Sequence, residues 1–294
     1  MMEIRTKIEN GKAYLQFEFP SEYREAGGEA VLLQVKDREG REVLNCLYPL
    51  SEEEPAGGIL LHPHLWNGAE EPYLYNVEAH FMNKACEIMK SICQPLALYA
   101  LEEIQGKGLF LNGKLFEVRA VNWDVEVTGE HTVKILELLR RMGANTICLP
   151  DEQKGNSEEL LQLCSRTGFL VKELETSAPA CSELFSLRIS FVTDIYYRYK
   201  AKWSKESFVH ICMSSIKKQE NGNFELTVFS NQKKIALYVN GALFEFRNGG
   251  EEYYFEEIPV KKYPAVLTAE AGECNTAVTI YEGSQIFHRN VTFS

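Results

Sequence analysis

From residue 1 to about 100, apolar and polar positions alternate with a period of two. Leu15, Phe17 and Phe19 interleave with Tyr14, Gln16 and Glu18. Val31, Leu33 and Val35 repeat the pattern, and Tyr73, Tyr75, Val77, Ala79 and Phe81 do so again. Such alternation turns one face of a strand inward and the other to water. Gly27-Gly28, Gly40 and Gly57-Gly58 interrupt the runs. Short antiparallel strands stacked as a β-sandwich are therefore expected over 1–105.

The period then changes. Asn112-Gly113 marks a two-residue hairpin, because both residues tolerate positive φ, and Phe116 to Val121 reads as a short apolar strand. Ile135, Leu138, Leu139 and Met142 recur at helical spacing, with Gly143 as the stop. Thr146 to Leu149 is a second strand. Asn156, with Glu159 three residues on, opens a second helix that turns Leu160, Leu163 and Cys164 inward and ends at Gly168. Phe169-Leu170-Val171 is the third strand. Strand–helix–strand–helix–strand implies parallel pairing through right-handed crossovers. Leu174 to Ser190 has no clear period and reads as a loop, followed by a helix from about Phe191 to Trp203 with Val192, Ile195, Tyr196 and Tyr199 as its stripe.

Beyond 206 the strand pattern returns in Phe224-Leu226-Val228 and Ile235-Leu237-Val239, then after a second Asn-Gly turn at 240–241 in Tyr253–Ile258, Ala265–Ala269 and Ala277–Tyr281. The fold class expected is mainly β with an α/β insert. Two β-sandwiches, 1–105 and 206–294, flank in sequence a three-stranded parallel unit over 106–205.

Composition narrows the partners. A net charge of −11 over 294 residues argues against nucleic acid and anionic membrane. No segment approaches 18 unbroken apolar residues, and the N-terminus lacks the apolar core of a signal peptide, so a cytoplasmic protein is expected. Eight cysteines without a C-x-x-C pair read as buried reduced thiols. His62 and His64 form an H-x-H pair without a visible third ligand, so no metal or cofactor is expected. Trp66 is expected in the sandwich core.

Three stretches together carry a family resemblance. His64-Leu65-Trp66 with Glu71-Pro72-Tyr73-Leu74-Tyr75 resembles the signature closing the immunoglobulin-like domain of family 2 glycoside hydrolases, the β-galactosidase and β-glucuronidase family. Phe110 to Lys114 running into Arg119-Ala120-Val121-Asn122 resembles that family's entry into its barrel. Met142-Gly143-Ala144-Asn145, Leu163-Cys164 and Gly168-Phe169-Leu170-Val171 resemble the first two barrel helices and the third strand. Asp194 to Trp203 is similar to the last barrel helix, and Val228 to Gly241 to the immunoglobulin-like domain that follows it.

The resemblance implies glycoside hydrolysis, yet the parts that perform it are not found. A complete (β/α)8 barrel takes roughly 250 residues, and Phe116 to Trp203 supplies about a third of that. Hydrolysis with retention needs two carboxylates about 5–5.5 Å apart. The family carries them at its fourth strand, after an Asn, and at its seventh. This sequence has no Asn-Glu dipeptide, and both regions fall in an apparent deletion. Where the family has Arg-Gly-Val-Asn-Arg-His, this chain reads Arg119-Ala120-Val121-Asn122-Trp123-Asp124; where the family has Val-Arg, it reads Ile147-Cys148. A catalytically incompetent homologue with a binding, assembly or regulatory role is expected.

Asp124, Glu126, Asp151, Glu173 and Glu175 follow the three strands, at the end where barrel enzymes keep their sites. Asp124 and Glu173 are the candidates for a rebuilt acid/base pair; the alternative is solvated loop acids. Asn122, Trp123 and Asp124 are the candidate substrate contacts, with Trp123 either stacking on a sugar ring or plugging the space of missing strands. Three strands cut from a barrel also leave unpaired edges. Carbohydrate, or a second copy docking on the remnant, is the partner this favours.

Overall fold

The computed structural model describes residues 2–50, 56–150, 158–185, 192–282 and 288–290. The chain gathers into two compact units, 1–118 with 154–171, and 119–153 with 172–294. The insert is thus divided between them.

The first unit holds an antiparallel sandwich. One sheet is formed by β1 (Glu3–Glu9), β2 (Lys12–Glu18) and β5 (Ala56–Leu61), in the order β1-β2-β5. The other contains β3 (Ala30–Lys36), β4 (Glu42–Pro49), β6 (Tyr75–Met82) and β7 (Ile88–Leu96), in the order β4-β3-β6-β7. A single helical turn, α1 (Glu22–Glu25), joins β2 to β3. Leu15 and Phe17, Val31, Leu33 and Val35, and Tyr75, Val77, Ala79 and Phe81 fill the core, as their alternation requires. Strands β8 (Leu101–Ile104), β9 (Gly108–Leu111) and β10 (Lys114–Leu115) add a meander whose last turn holds Asn112 at φ 51° and Gly113 at φ 78°.

Trp66 is not part of the sandwich core. It packs with Leu109, Leu111 and Leu170, and its indole N–H donates to the carbonyl of Ser165 at 2.9 Å. Ser165 lies on α3 (Glu158–Thr167), so the Leu-Trp loop serves this joint instead. Gly168, at φ 84°, ends that helix against the backbone of Gly68 and Ala69, where a Cβ would come within 2.5 Å of Ala69.

In the insert, β11 (Ala120–Asn122) pairs in parallel with β12 (Thr146–Cys148) through α2 (Gly129–Met142). The sheet continues to β13 (Leu170–Lys172), where Leu149 N–H donates to the Lys172 carbonyl at 3.0 Å. On α2 the buried apolar residues are Ile135, Leu136, Leu139 and Met142, so Leu136 takes a place read for Leu138. Asn156 and Phe191, expected at helix starts, lie outside the described residues. The region read as loop contains one helical turn, α4 (Cys181–Leu184). The last helix, α5 (Asp194–Trp203), begins at its N-cap Thr193, whose hydroxyl accepts from Tyr196 N–H. Ile195 is exposed on it, while Tyr196 and Ala201 are buried. Among the described residues no closed barrel forms.

The second sandwich pairs β14 (Val209–Lys218), β15 (Phe224–Ser230) and β18 (Glu252–Ile258) in the order β14-β15-β18. Its other sheet has the order β17-β16-β19-β20-β21, built from β16 (Lys234–Val239), β17 (Ala242–Asn248), β19 (Ala265–Ala271), β20 (Cys274–Ile280) and β21 (His288–Asn290). The architecture is mainly β with an α/β insert. No helix among the described residues is long and apolar enough to cross a membrane.

Candidate functional site

The site is the end of β11 and the segment that returns to it. Among the described residues β11 has one strand partner, β12, and its other edge would be bare. Instead Ala180 forms a parallel bridge with Asn122, and Asn122 N–H donates to the Pro179 carbonyl at 2.9 Å. The Asn122 side chain completes the closure. Its amide donates to the carbonyls of Glu175 at 2.8 Å and Ala178 at 3.1 Å, and its carbonyl accepts from Glu175 N–H at 3.2 Å. Asparagine suits this place because it offers donors and acceptor together.

The next two residues are also engaged. Trp123 donates its backbone N–H to the Cys148 carbonyl at 2.9 Å, and its side chain is 2% exposed. Its indole Nε1 is buried with no acceptor within hydrogen-bond reach among the described residues. Asp124 is exposed but bound: Oδ1 accepts from Ser182 N–H at 2.9 Å, and Oδ2 accepts from the Ser182 hydroxyl. Both its oxygens therefore cap the start of α4.

The remaining acids sit on the same loops. Glu175 is exposed and its Oε1 accepts from the Ser177 hydroxyl at 3.0 Å. Glu126 and Glu173 are exposed, and Asp151 lies outside the described residues. Cys148, at the end of β12, is fully buried, and burial pushes its thiol above the usual range, with the Glu175 carboxylate acting in the same direction. It is an inert packing thiol in this state. Residues Asn122 to Asp124 are thus brought together with 175–182 by backbone closure.

A second polar cluster was not legible in the sequence. Asp194, at the start of α5, meets His210 of β14 at 2.8 Å, and its other oxygen accepts from Ser214 N–H at 3.1 Å. Tyr197 stacks on the His210 ring at 3.6 Å. Burial alone would raise the Asp194 carboxyl, but hydrogen bonds from His210 and Ser214 outweigh it and hold the group far below the usual carboxylate range. His210 is 3% exposed, so this cluster fastens helix to strand. At the other end of α5, Arg119 donates to the Trp203 carbonyl at 2.9 Å, while its backbone N–H donates to Asn145 Oδ1 at 2.8 Å. His64, of the H-x-H pair, meets Glu71 at 2.5 Å and stacks on Tyr73. Among the described residues no group of three or more His, Cys, Asp or Glu is placed to hold a metal.

No family model matches the sequence. One curated relative, a β-glucuronidase of Bacteroides fragilis, is 34% identical over 98 residues, which are 31% of this chain and 14% of that protein. Solved structures match far more of the chain. An FMN-binding β-glucuronidase from F. prausnitzii L2-6 superposes with a TM-score of 0.77 at 14% identity, over 95% of this chain and 73% of its own. A Bacteroides fragilis protein described as a putative β-galactosidase gives 0.71 at 14% identity, over 98% of this chain and 72% of its own. A glycosyl hydrolase family 2 member from Bacteroides cellulosilyticus gives 0.65 at 13% identity, over 98% of this chain and 62% of its own. The chain therefore shares its fold, over nearly its whole length, with family 2 glycoside hydrolases.

Proposed function

We propose that this chain is a non-catalytic homologue of the family 2 glycoside hydrolases with a binding, assembly or regulatory role. One observation carries this reading. The side chains at the end of β11 that would face a substrate are committed elsewhere, Asn122 to closing the sheet edge, Asp124 to capping α4 and Trp123 to the interior. A carboxylate pair 5–5.5 Å apart is the mechanism of retaining hydrolysis, and the resemblance, which passes from the third strand to the last helix, carries over neither family carboxylate. Cys148, Cys164, Cys181 and Cys212 are buried free thiols, whereas Cys86 and Cys93 are exposed rather than buried as expected; free thiols fit a reducing, cytoplasmic setting.

The test is turnover of aryl β-glycosides, galactoside and glucuronide included, by protein purified free of host β-galactosidase. No release above blank is expected. Turnover that disappears in Glu173→Gln or Asp124→Asn would overturn the proposal and mean a catalytic pair was rebuilt on the remnant. A second reading, a carbohydrate-binding module, draws support from the relative described as a β-glucuronidase. Titration calorimetry with galactosides and glucuronides tests it directly. Assembly through the remnant remains part of the same proposal, with a concentration-dependent mass as its signature.

A further inference from the structure

We propose that the edge of β17 pairs antiparallel with the same edge of a second copy of this chain, about a two-fold axis through Phe246. Strand β17 ends its five-stranded sheet, and among the described residues its one strand partner is β16. Phe244, at a bulge in the strand, packs against the core, but beyond it the core side of the strand is charged. Ile235 and Leu237 of β16 lie in the core, and opposite them stand Arg247 and Glu245. Directly opposed residues share a face, so this charged pair is on the core side of the edge. Phe246 and Leu243, opposite Ala236 and Tyr238, are on the outer side and are 47% and 48% exposed.

Inward charges at an edge usually oppose pairing. Here they have opposite signs two residues apart, and that selects one register. With the axis through Phe246, each Glu245 lies opposite the second copy's Arg247, and the two exposed Phe246 rings meet on the outer face. Moving the axis by one position of the same face, to Glu245 or to Arg247, sets like charges against each other, which is destabilising. A one-residue slip would send each side chain to the wrong face. Arg247 and Glu245 already bridge at 3.1 Å within the strand with side chains about two-fifths exposed, and the guanidinium has further donors to share. This self-complementary charge pattern is what points to a second copy as the occupant. A seven-residue edge is small against the roughly 1,600 Å² of a standard interface, so association in the micromolar range, well short of nanomolar, is expected.

Sedimentation velocity of the full chain, up to about 100 µM, tests this. The native protein is expected to form dimers. Arg247→Glu and Glu245→Arg should each weaken association at least about tenfold by opposing like charges twice. The double swap Glu245→Arg/Arg247→Glu should restore it, because complementarity returns. If Arg247→Glu fails to fold, Phe246→Ser, at an outer position 47% exposed whose one ring contact is Lys234 at 4.3 Å among the described residues, carries the same expectation. A native chain that stays monomeric throughout overturns the proposal. So does a dimer that ignores the single swaps, which would place the contact elsewhere, on the insert for example. A folded double swap that stays monomeric overturns it as well.

Discussion

Asn122 and Glu175 hold each other reciprocally, the Asn122 amide donating to the Glu175 carbonyl at 2.8 Å and the Asn122 carbonyl accepting from Glu175 N–H at 3.2 Å. With the third bond to Ala178, one side chain satisfies three backbone groups of a returning segment. At about 1 kcal/mol for each net hydrogen bond, Asn122→Ala should lose about 2–3 kcal/mol in urea denaturation. Asn122→Asp keeps the shape but sets a carboxylate against two carbonyls, and should cost at least as much. Stability equal to native in both variants would mean the segment closes without this residue.

The contact of Asp194 with His210 predicts a pH signature. A carboxyl held below its unfolded value contributes stability above the unfolded pKa, near 3.9, and loses that contribution as pH falls through the folded value. Asp194→Asn should therefore cost about 2–4 kcal/mol at neutral pH. The gap between variant and native should narrow as pH falls below about 4. Thermal unfolding of both proteins across that range checks this, and a gap independent of pH would refute it.

Two buried tryptophans make a matched comparison. Trp66 donates its indole N–H to Ser165, whereas Trp123 buries its N–H without an acceptor among the described residues. Replacing Trp66 by Phe removes a made bond and strands a carbonyl, a loss of about 1–3 kcal/mol. Trp123→Phe makes the same reduction in ring size but removes an unpaired donor, so it should cost less than Trp66→Phe. The reverse order in denaturation midpoints would show that Trp123 has a polar partner.

Gly143 closes α2 at φ 96°, directly beneath the last turn of α5. A Cβ there would lie 2.5 Å from the Trp203 carbonyl carbon. Backbone cannot yield as a flexible side chain can, so Gly143→Ala should cost about 3 kcal/mol or more. Gly250→Ala, with nothing within 4 Å of the new atom, is the neutral control.

The sequence exposed those elements whose surroundings are one-sided. Strands β2, β3 and β6 each have one dry and one wet face, and their alternation is plain. Strand β14 escaped notice because Val209, His210, Ile211 and Cys212 are all buried. Val209 and Ile211 face the sandwich core, while Cys212 packs with Tyr197 of α5 and His210 stacks on it, which erases any period. In β7 Ile88 and Met89 are exposed, so hydrophobicity there does not report burial. Asn122 ends β11, and Trp123 and Asp124 follow it. What Asn122 and Asp124 do there depends on partners 53 to 58 positions away, for which no local pattern exists.

The distance along the chain between β11 and its closing segment matters during synthesis. Translation at about 5–20 residues per second puts on the order of 3–10 s between the emergence of Asn122 and of Glu175. Over that interval the growing polypeptide carries a half-built sheet with an open flank, followed by the apolar faces of two helices. Newly made chains crowded on one messenger present that flank to one another at the moment it is least protected. Chaperone demand and insoluble yield in an expression host should therefore respond to the return segment 175–180 more strongly than the stability of the finished protein does.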